Sequence, residues 1–176
     1  SGGMIPAENP QPVAATAGYI SKAYKTVEEM TGIQFGPDYL WHINNPDESD
    51  WFPHSEKAAI SLCIFKEMYP EQQVAFAADL QYALHFEGRD LTDNEAYRHL
   101  LEKYSMDADY FYTKLKSEEY KDKALYEFSL CKQLHALNMT DCIHILDLTP
   151  LSSCKQLQTF ILSYCYKISD LTPLSS

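Results

Sequence analysis

The sequence predicts a mainly α-helical chain, a helical bundle followed by one or two repeat units built on short strands. Three observations carry that reading. Up to about position 130, apolar residues recur at i, i+3, i+4 and i+7, the spacing of one buried helix face. The tetrapeptide Cys131-Lys132-Gln133-Leu134 returns 23 positions later as Cys154-Lys155-Gln156-Leu157, and from there the rhythm is 23 rather than helical. Charge density breaks at the same place: residues 1–130 hold 11 Lys/Arg and 22 Asp/Glu, a net −11, whereas residues 131–176 hold three of each, a net zero. A charge break that coincides with a period break marks two pieces, a helical domain over 1–134 and a repeat segment over 135–176.

Ser1-Gly2-Gly3-Met4-Ile5 and a stretch with Pro6, Pro10 and Pro12 lead into the first helix. Proline suits a first helical turn because its missing N–H would be unpaired there anyway. Ile20, Ala23, Tyr24, Val27 and Met30 make the buried face, and Gly32 is placed to take the left-handed terminal position. The aromatic segment from Phe35 to Pro53, with Tyr39, Trp41, Trp51 and Phe52 among Gly, Asn, Asp and Pro, is expected to pack as a loop with one helical turn. Ser55 reads as the N-cap of a helix with Ala59, Leu62 and Cys63 on one face. Pro70 ends or restarts it, and Val74, Ala77, Ala78, Leu80 and Leu84 continue a broad apolar face to Gly88. Thr92-Asp93-Asn94-Glu95 has the form of a capping box, and Tyr97, Leu100, Leu101 and Tyr104 follow as a helical stripe. Asp107 or Asp109 caps a short helix through Phe111 and Leu115, and Ser117 caps the last one, with Ala124, Leu125 and Phe128. The piece is all-α, with about five helices and no convincing strand.

Composition bounds the function. Forty-five per cent apolar and 22 per cent charged residues are ordinary for a soluble globular protein. An acidic balance without a basic cluster argues against nucleic acid, because nothing would displace counterions from a phosphate backbone. No apolar run approaches the roughly 18–20 residues that span a bilayer, so no membrane partner is expected. With no secretory leader visible, the expected location is cytoplasmic. The opening Ser1-Gly2-Gly3 has no initiator Met and the close at Leu174-Ser175-Ser176 falls part-way through a repeat, so both ends read as cut.

The cysteines at 63, 131, 142, 154 and 165 include no Cys-x-x-Cys, and their odd number speaks against a disulfide framework. Zinc ligands would come in pairs two to four apart. The last four cysteines are spaced 11, 12 and 11 instead, the repeat period showing through. No metal and no cofactor are expected. His42, His54, His85 and His99 lie among many carboxylates, the raw material of general acid–base catalysis. No H-E-x-x-H, G-x-S-x-G or glycine-rich phosphate loop organises them, so they read as solvated or hydrogen-bonded histidines. Cys63, inside an apolar helix face, reads as a small buried hydrophobe rather than a reactive thiol. No catalytic, cofactor-binding or metal-binding residue is assigned.

Several segments, in order, carry a resemblance. Ser1-Gly2-Gly3-Met4, Thr31-Gly32 with Phe35-Gly36, Pro53-His54-Ser55 with Ala58-Ala59, Phe86-Glu87-Gly88-Arg89-Asp90-Leu91 and the Ser117-Glu118-Glu119-Tyr120 helix resemble the DsbA-like thiol-disulfide oxidoreductases, the FrnE-like branch in particular. The resemblance covers residues 1–134. It implies the helical domain that is inserted into a thioredoxin fold, lies over the active site and helps shape the substrate surface. The family's chemistry implies two further features: a Cys-x-x-Cys at a helix N-terminus, whose dipole lowers a thiol pKa, and a cis-Pro loop facing it. The first would precede Ser1; where the second is expected the sequence reads His135-Ala136-Leu137-Asn138-Met139-Thr140. No redox residue of the family is carried onto this chain.

Offset by 23, the tail falls on itself. Ile145-Leu146-Asp147-Leu148-Thr149-Pro150-Leu151-Ser152-Ser153 lies on Ile168-Ser169-Asp170-Leu171-Thr172-Pro173-Leu174-Ser175-Ser176 with eight of nine positions identical. Leu134-x-x-Leu137-x-Met139-x-x-Cys142 and Leu157-x-x-Phe160-x-Leu162-x-x-Cys165 resemble the leucine-rich-repeat consensus. A strand near Leu137–Met139 should then point alternate side chains inward, and each Cys should turn the chain with its S–H near backbone carbonyls, stacked as a reduced ladder. Fewer than two full units and no terminal cap predict a frayed tail.

The expected function follows. The chain reads as part of a DsbA-family thiol-disulfide oxidoreductase or isomerase without its Cys-x-x-Cys and cis-Pro loop, joined to partial leucine-rich repeats at a shared Cys-Lys-Gln-Leu, and inactive as it stands. The alternative is a protein-interaction module in which the helical domain caps a truncated repeat array, its partner a protein held on the repeat surface. A diverged enzyme using the histidines ranks third.

Overall fold

Pro10 and Pro12 precede α1 (Ala14–Thr31), and Gly32 closes it: at φ 74° its N–H donates to the Glu28 carbonyl. This computed structural model describes residues 8–132, 136–140, 145, 148, 151 and 154–172. The expectations placed on residues 1–7, on the Gln133-Leu134-His135 join, on Cys142 and its stacking with Cys165, on Pro150 and on residues 173–176 fall outside them. The described residues are mainly helical, seven α-helices followed by two short strands. They divide into two compact units, one ending at residue 124 and the other beginning at residue 125.

Within the first unit, the predicted face of α1 is only half covered, and Met30 is exposed. The loop anticipated from Phe35 contains a full helix, α2 (Pro37–Asn44), with proline in its first turn. Tyr39 and Ile43 bury its inner face, beside Val13 and against Phe35 and Trp51. Tertiary burial outweighs the turn-rich composition there. Ser55 stands at the N-cap position of α3 (Glu56–Met68) but makes no capping bond with its side chain. The core face of α3 is Ile60, Ser61, Cys63, Ile64 and Phe65; of the face that spacing suggested, Cys63 lies in it, while Ala59 and Leu62 are partly buried at its edge.

Pro70 does restart the helix, through a 3-10 turn (Pro70–Gln72) into α4 (Gln73–His85). A second 3-10 turn (Asn94–Tyr97) leads into α5 (Arg98–Lys103). Its cap is Asp93, which accepts the Glu95 N–H at 3.2 Å, and not Thr92. Thr92 is claimed by Asp90, whose two oxygens accept the Thr92 N–H at 2.9 Å and its hydroxyl at 2.7 Å. A local Asx turn therefore wins over the capping box. Asp107 caps α6 (Ala108–Leu115) by accepting the Tyr110 N–H at 2.6 Å, and α7 (Glu118–Lys132) follows.

Phe65 of α3 and Phe76 of α4 stack with centroids 4.0 Å apart, and Tyr104 meets Phe65 edge-on at 4.7 Å. Leu100, Leu101, Phe111, Leu115, Tyr120 and Ala124 complete this core. Two glycines of the resembling segments sit where backbones touch. A Cβ on Gly36 would lie 1.7 Å from the Phe86 carbonyl oxygen, while its own N–H donates to the His85 carbonyl at 2.8 Å. Gly88, at φ 67°, would press a Cβ to 2.5 Å from that of Asp38. Only glycine lets the exit of α4 close on the start of α2.

In the second unit, β1 (Ala136–Thr140) pairs in parallel with β2 (Thr159–Ser163). Ala136 faces Thr159 and Met139 faces Leu162, so each residue pairs with the one that lies a sequence period beyond it. Leu137, Met139, Phe160 and Leu162 share the half-buried face, while Asn138 and Ile161 are exposed. Alternation along the strand follows the pleat.

Candidate functional site

The first unit carries an apolar groove of about 420 Å³ between α3 and α4. Ala58 and Leu62 line it from α3, and Val74, Ala77, Ala78 and Leu84 from α4. It exists because α4 is apolar on more than one side. Phe76, Leu80 and Ala83 point to the core. Val74, Ala78, Tyr82 and Phe86, spaced by four, form a second stripe on the outside, where Val74 is 78%, Tyr82 53% and Phe86 38% exposed. Tyr82 and Phe86 stack on one another with centroids 4.7 Å apart. The broad apolar face read from the sequence, Val74, Ala77, Ala78, Leu80 and Leu84, lines this groove throughout, with Leu80 buried and Val74 exposed.

Two connecting segments close the ends. One brings Trp51, Pro53 and His54, the other Asp90, Leu91 and Thr92. The second is tied down from below: the Tyr97 hydroxyl donates to the Leu91 carbonyl at 2.8 Å, and Lys57 Nζ donates to the Thr92 carbonyl and to Asn94 Oδ1. Asp90 thus stands fixed at the groove, and among the described residues no cation forms an ion pair with it. Burial pulls the His54 imidazole below the ordinary histidine range, against the carboxylates of Glu56 and Asp90 that raise it. Trp51 Nε1 and His54 Nδ1 are sealed from water without a hydrogen-bond partner. An unmet buried polar atom costs about 1–3 kcal/mol.

The four histidines of the first unit are not brought together as a catalytic set. His42 Nδ1 shares a 2.7 Å hydrogen bond with Ser49 Oγ and packs against Trp41 and Trp51. Ser49 Oγ also accepts the Trp51 N–H, so the pair pins a loop. His42 borders an adjoining cavity of about 400 Å³ with Tyr39, Asp50 and Phe52, which shares Trp51, Asp90 and Thr92 with the groove. His85 is packed edge-on against Phe35 and Tyr39, its Nδ1–H donating to the Gln81 carbonyl at 3.1 Å. His99 Nε2 lies 3.4 Å from Glu87 Oε2. Among the described residues no cluster of His, Cys, Asp and Glu is placed to hold a metal ion, and no helix is long and apolar enough to cross a membrane.

Cys63 is buried in the core of the first unit, and Cys63, Cys154 and Cys165 stand outside any disulfide. In the second unit, Cys165 Sγ donates to the Met139 carbonyl at 2.8 Å, crossing from one strand's end to the other, and Cys154 is buried. Compared with protein-family models, with curated proteins and with solved structures, the chain finds no match. The groove therefore has to be read from its own chemistry.

Proposed function

We propose that residues 1–134 are a helical domain of the DsbA-like insertion type, that the segment after them is built of leucine-rich-repeat turns, and that the chain performs no thiol–disulfide exchange. The observation that carries the last point is where the described thiols lie. Exchange requires a thiolate, held at low pKa by a helix N-terminus or a cation and near a second sulfur. Cys63 instead sits in mid-helix among Ile60, Ile64 and Phe65. Cys165 spends its S–H on the Met139 carbonyl. The sequence holds no Cys-x-x-Cys. The repeat reading is supported by the parallel pairing at the 23-residue period and by the thiol that links the two strands.

Insulin reduction by dithiothreitol, followed by turbidity, tests the proposal. The chain is expected to leave the rate unchanged at micromolar concentration. Acceleration that disappears in Cys63→Ala or Cys165→Ala would refute it.

A further inference from the structure

We infer that the groove between α3 and α4 is a docking site for an extended polypeptide segment that carries large apolar side chains next to a lysine or arginine. The inference stands on the groove alone and holds whatever the ancestry of either half.

Shape argues for a polypeptide. A volume of about 420 Å³ lies at the small end of ligand pockets and takes only a few side chains. The apolar surface does not stop there: the Val74–Ala78–Tyr82–Phe86 stripe runs on along the outside of α4. Twelve residues of helix span about 18 Å. An extended strand at about 3.3 Å per residue covers that length with five or six residues. One or two of its side chains fill the groove, and the others lie on the stripe, where Tyr82 and Phe86 stack on one another.

Charge selects the partner. No Lys or Arg lines the groove, and Asp90 is its one ionised side chain. The Asx turn to Thr92 and the bonds from Lys57 and Tyr97 hold that carboxylate in place without neutralising it. The chain as a whole carries a net charge of −11, which draws a cationic segment and repels an acidic one. An apolar segment with a Lys or Arg beside its anchor satisfies both the floor and the rim.

The test uses the full 176-residue chain and a fluorescein-labelled octapeptide with two Leu, two Phe and a central Lys, read by anisotropy. Its counterpart has Glu in place of Lys. Saturable binding is expected, about tenfold or more tighter for the Lys peptide. Ala78→Arg, at an exposed helical position that tolerates a good helix former, should weaken it at least about tenfold. Asp90→Asn, which keeps an oxygen for Thr92, should erase the preference for Lys over Glu; far-UV circular dichroism checks that both variants remain folded. Absence of saturable binding to about 1 mM peptide overturns the inference, as does equal affinity for the two peptides or indifference to Ala78→Arg in a folded variant. Sedimentation showing a dimer that Ala78→Arg dissolves, with no peptide bound, would assign the groove to a second copy of the chain instead. Insulin turnover leaves these readouts unmoved, so the two proposals fail separately.

Discussion

Two substitutions two residues apart on α4 test the division of that helix into a core side and a groove side. Phe76 is buried, stacked on Phe65 at 4.0 Å and edge-on to Tyr104 at 5.7 Å. Phe76→Ala removes a ring from a close-packed site and leaves a cavity, at a cost of about 3–5 kcal/mol. A unit of about 120 residues is stable by roughly 6–18 kcal/mol, so this loss is a large fraction of the whole. In temperature it amounts to about 10–20 °C of Tm. Val74, by contrast, is 78% exposed, so Val74→Ala loses little packing and gains helix propensity. Its effect should stay within about 0.5 kcal/mol. Urea unfolding followed at 222 nm reads both, because the described residues are mainly helical. Equal destabilisation by the two substitutions, within about 1 kcal/mol, would mean that α4 is rotated from this placement and that the groove is not formed.

Two further outcomes are expected. Gly36→Ala forces a methyl onto the Phe86 carbonyl, a backbone atom that no side-chain rotation can move aside, and should cost at least about 1–3 kcal/mol by thermal unfolding; an unchanged Tm would refute the close approach. Burial against the Phe35 and Tyr39 rings holds His85 below the ordinary histidine range. The unfolded chain therefore takes up a proton there at higher pH than the folded one, and the stability is complete above about pH 6.5 and lost as pH falls from there through the folded value. His54 shifts in the same direction. The urea midpoint should drop from pH 7.5 to pH 5.5, less steeply in His85→Gln, and a flat profile would refute the half-buried, neutral imidazole.

What the residues determined without help is whatever depends on local spacing. The stripe of Tyr97, Leu100, Leu101 and Tyr104, a cap at Asp107 or Asp109, a break or restart at Pro70 and the left-handed Gly32 are written in neighbouring positions; the first three stripe residues are buried and Tyr104 half-buried, Asp107 is the cap, the helix restarts, and Gly32 is left-handed. The parallel register is likewise written in the 23-residue period, because stacked units place equivalent residues side by side. Competition between contacts that are distant in the chain had to be resolved by the tertiary structure. Several turns of α4 are apolar, and periodicity cannot say which side meets Phe65 and which is left for a groove. The short α2 forms only because Tyr39 and Ile43 find Val13 and Trp51 to pack on. Asp90 takes Thr92 from the capping box and stays fixed beside apolar surface, held there through Lys57 and Tyr97 and in no ion pair among the described residues. Local order follows from steps of three, four or twenty-three residues, whereas an open apolar surface is defined by what fails to cover it, and that depends on the whole folded unit.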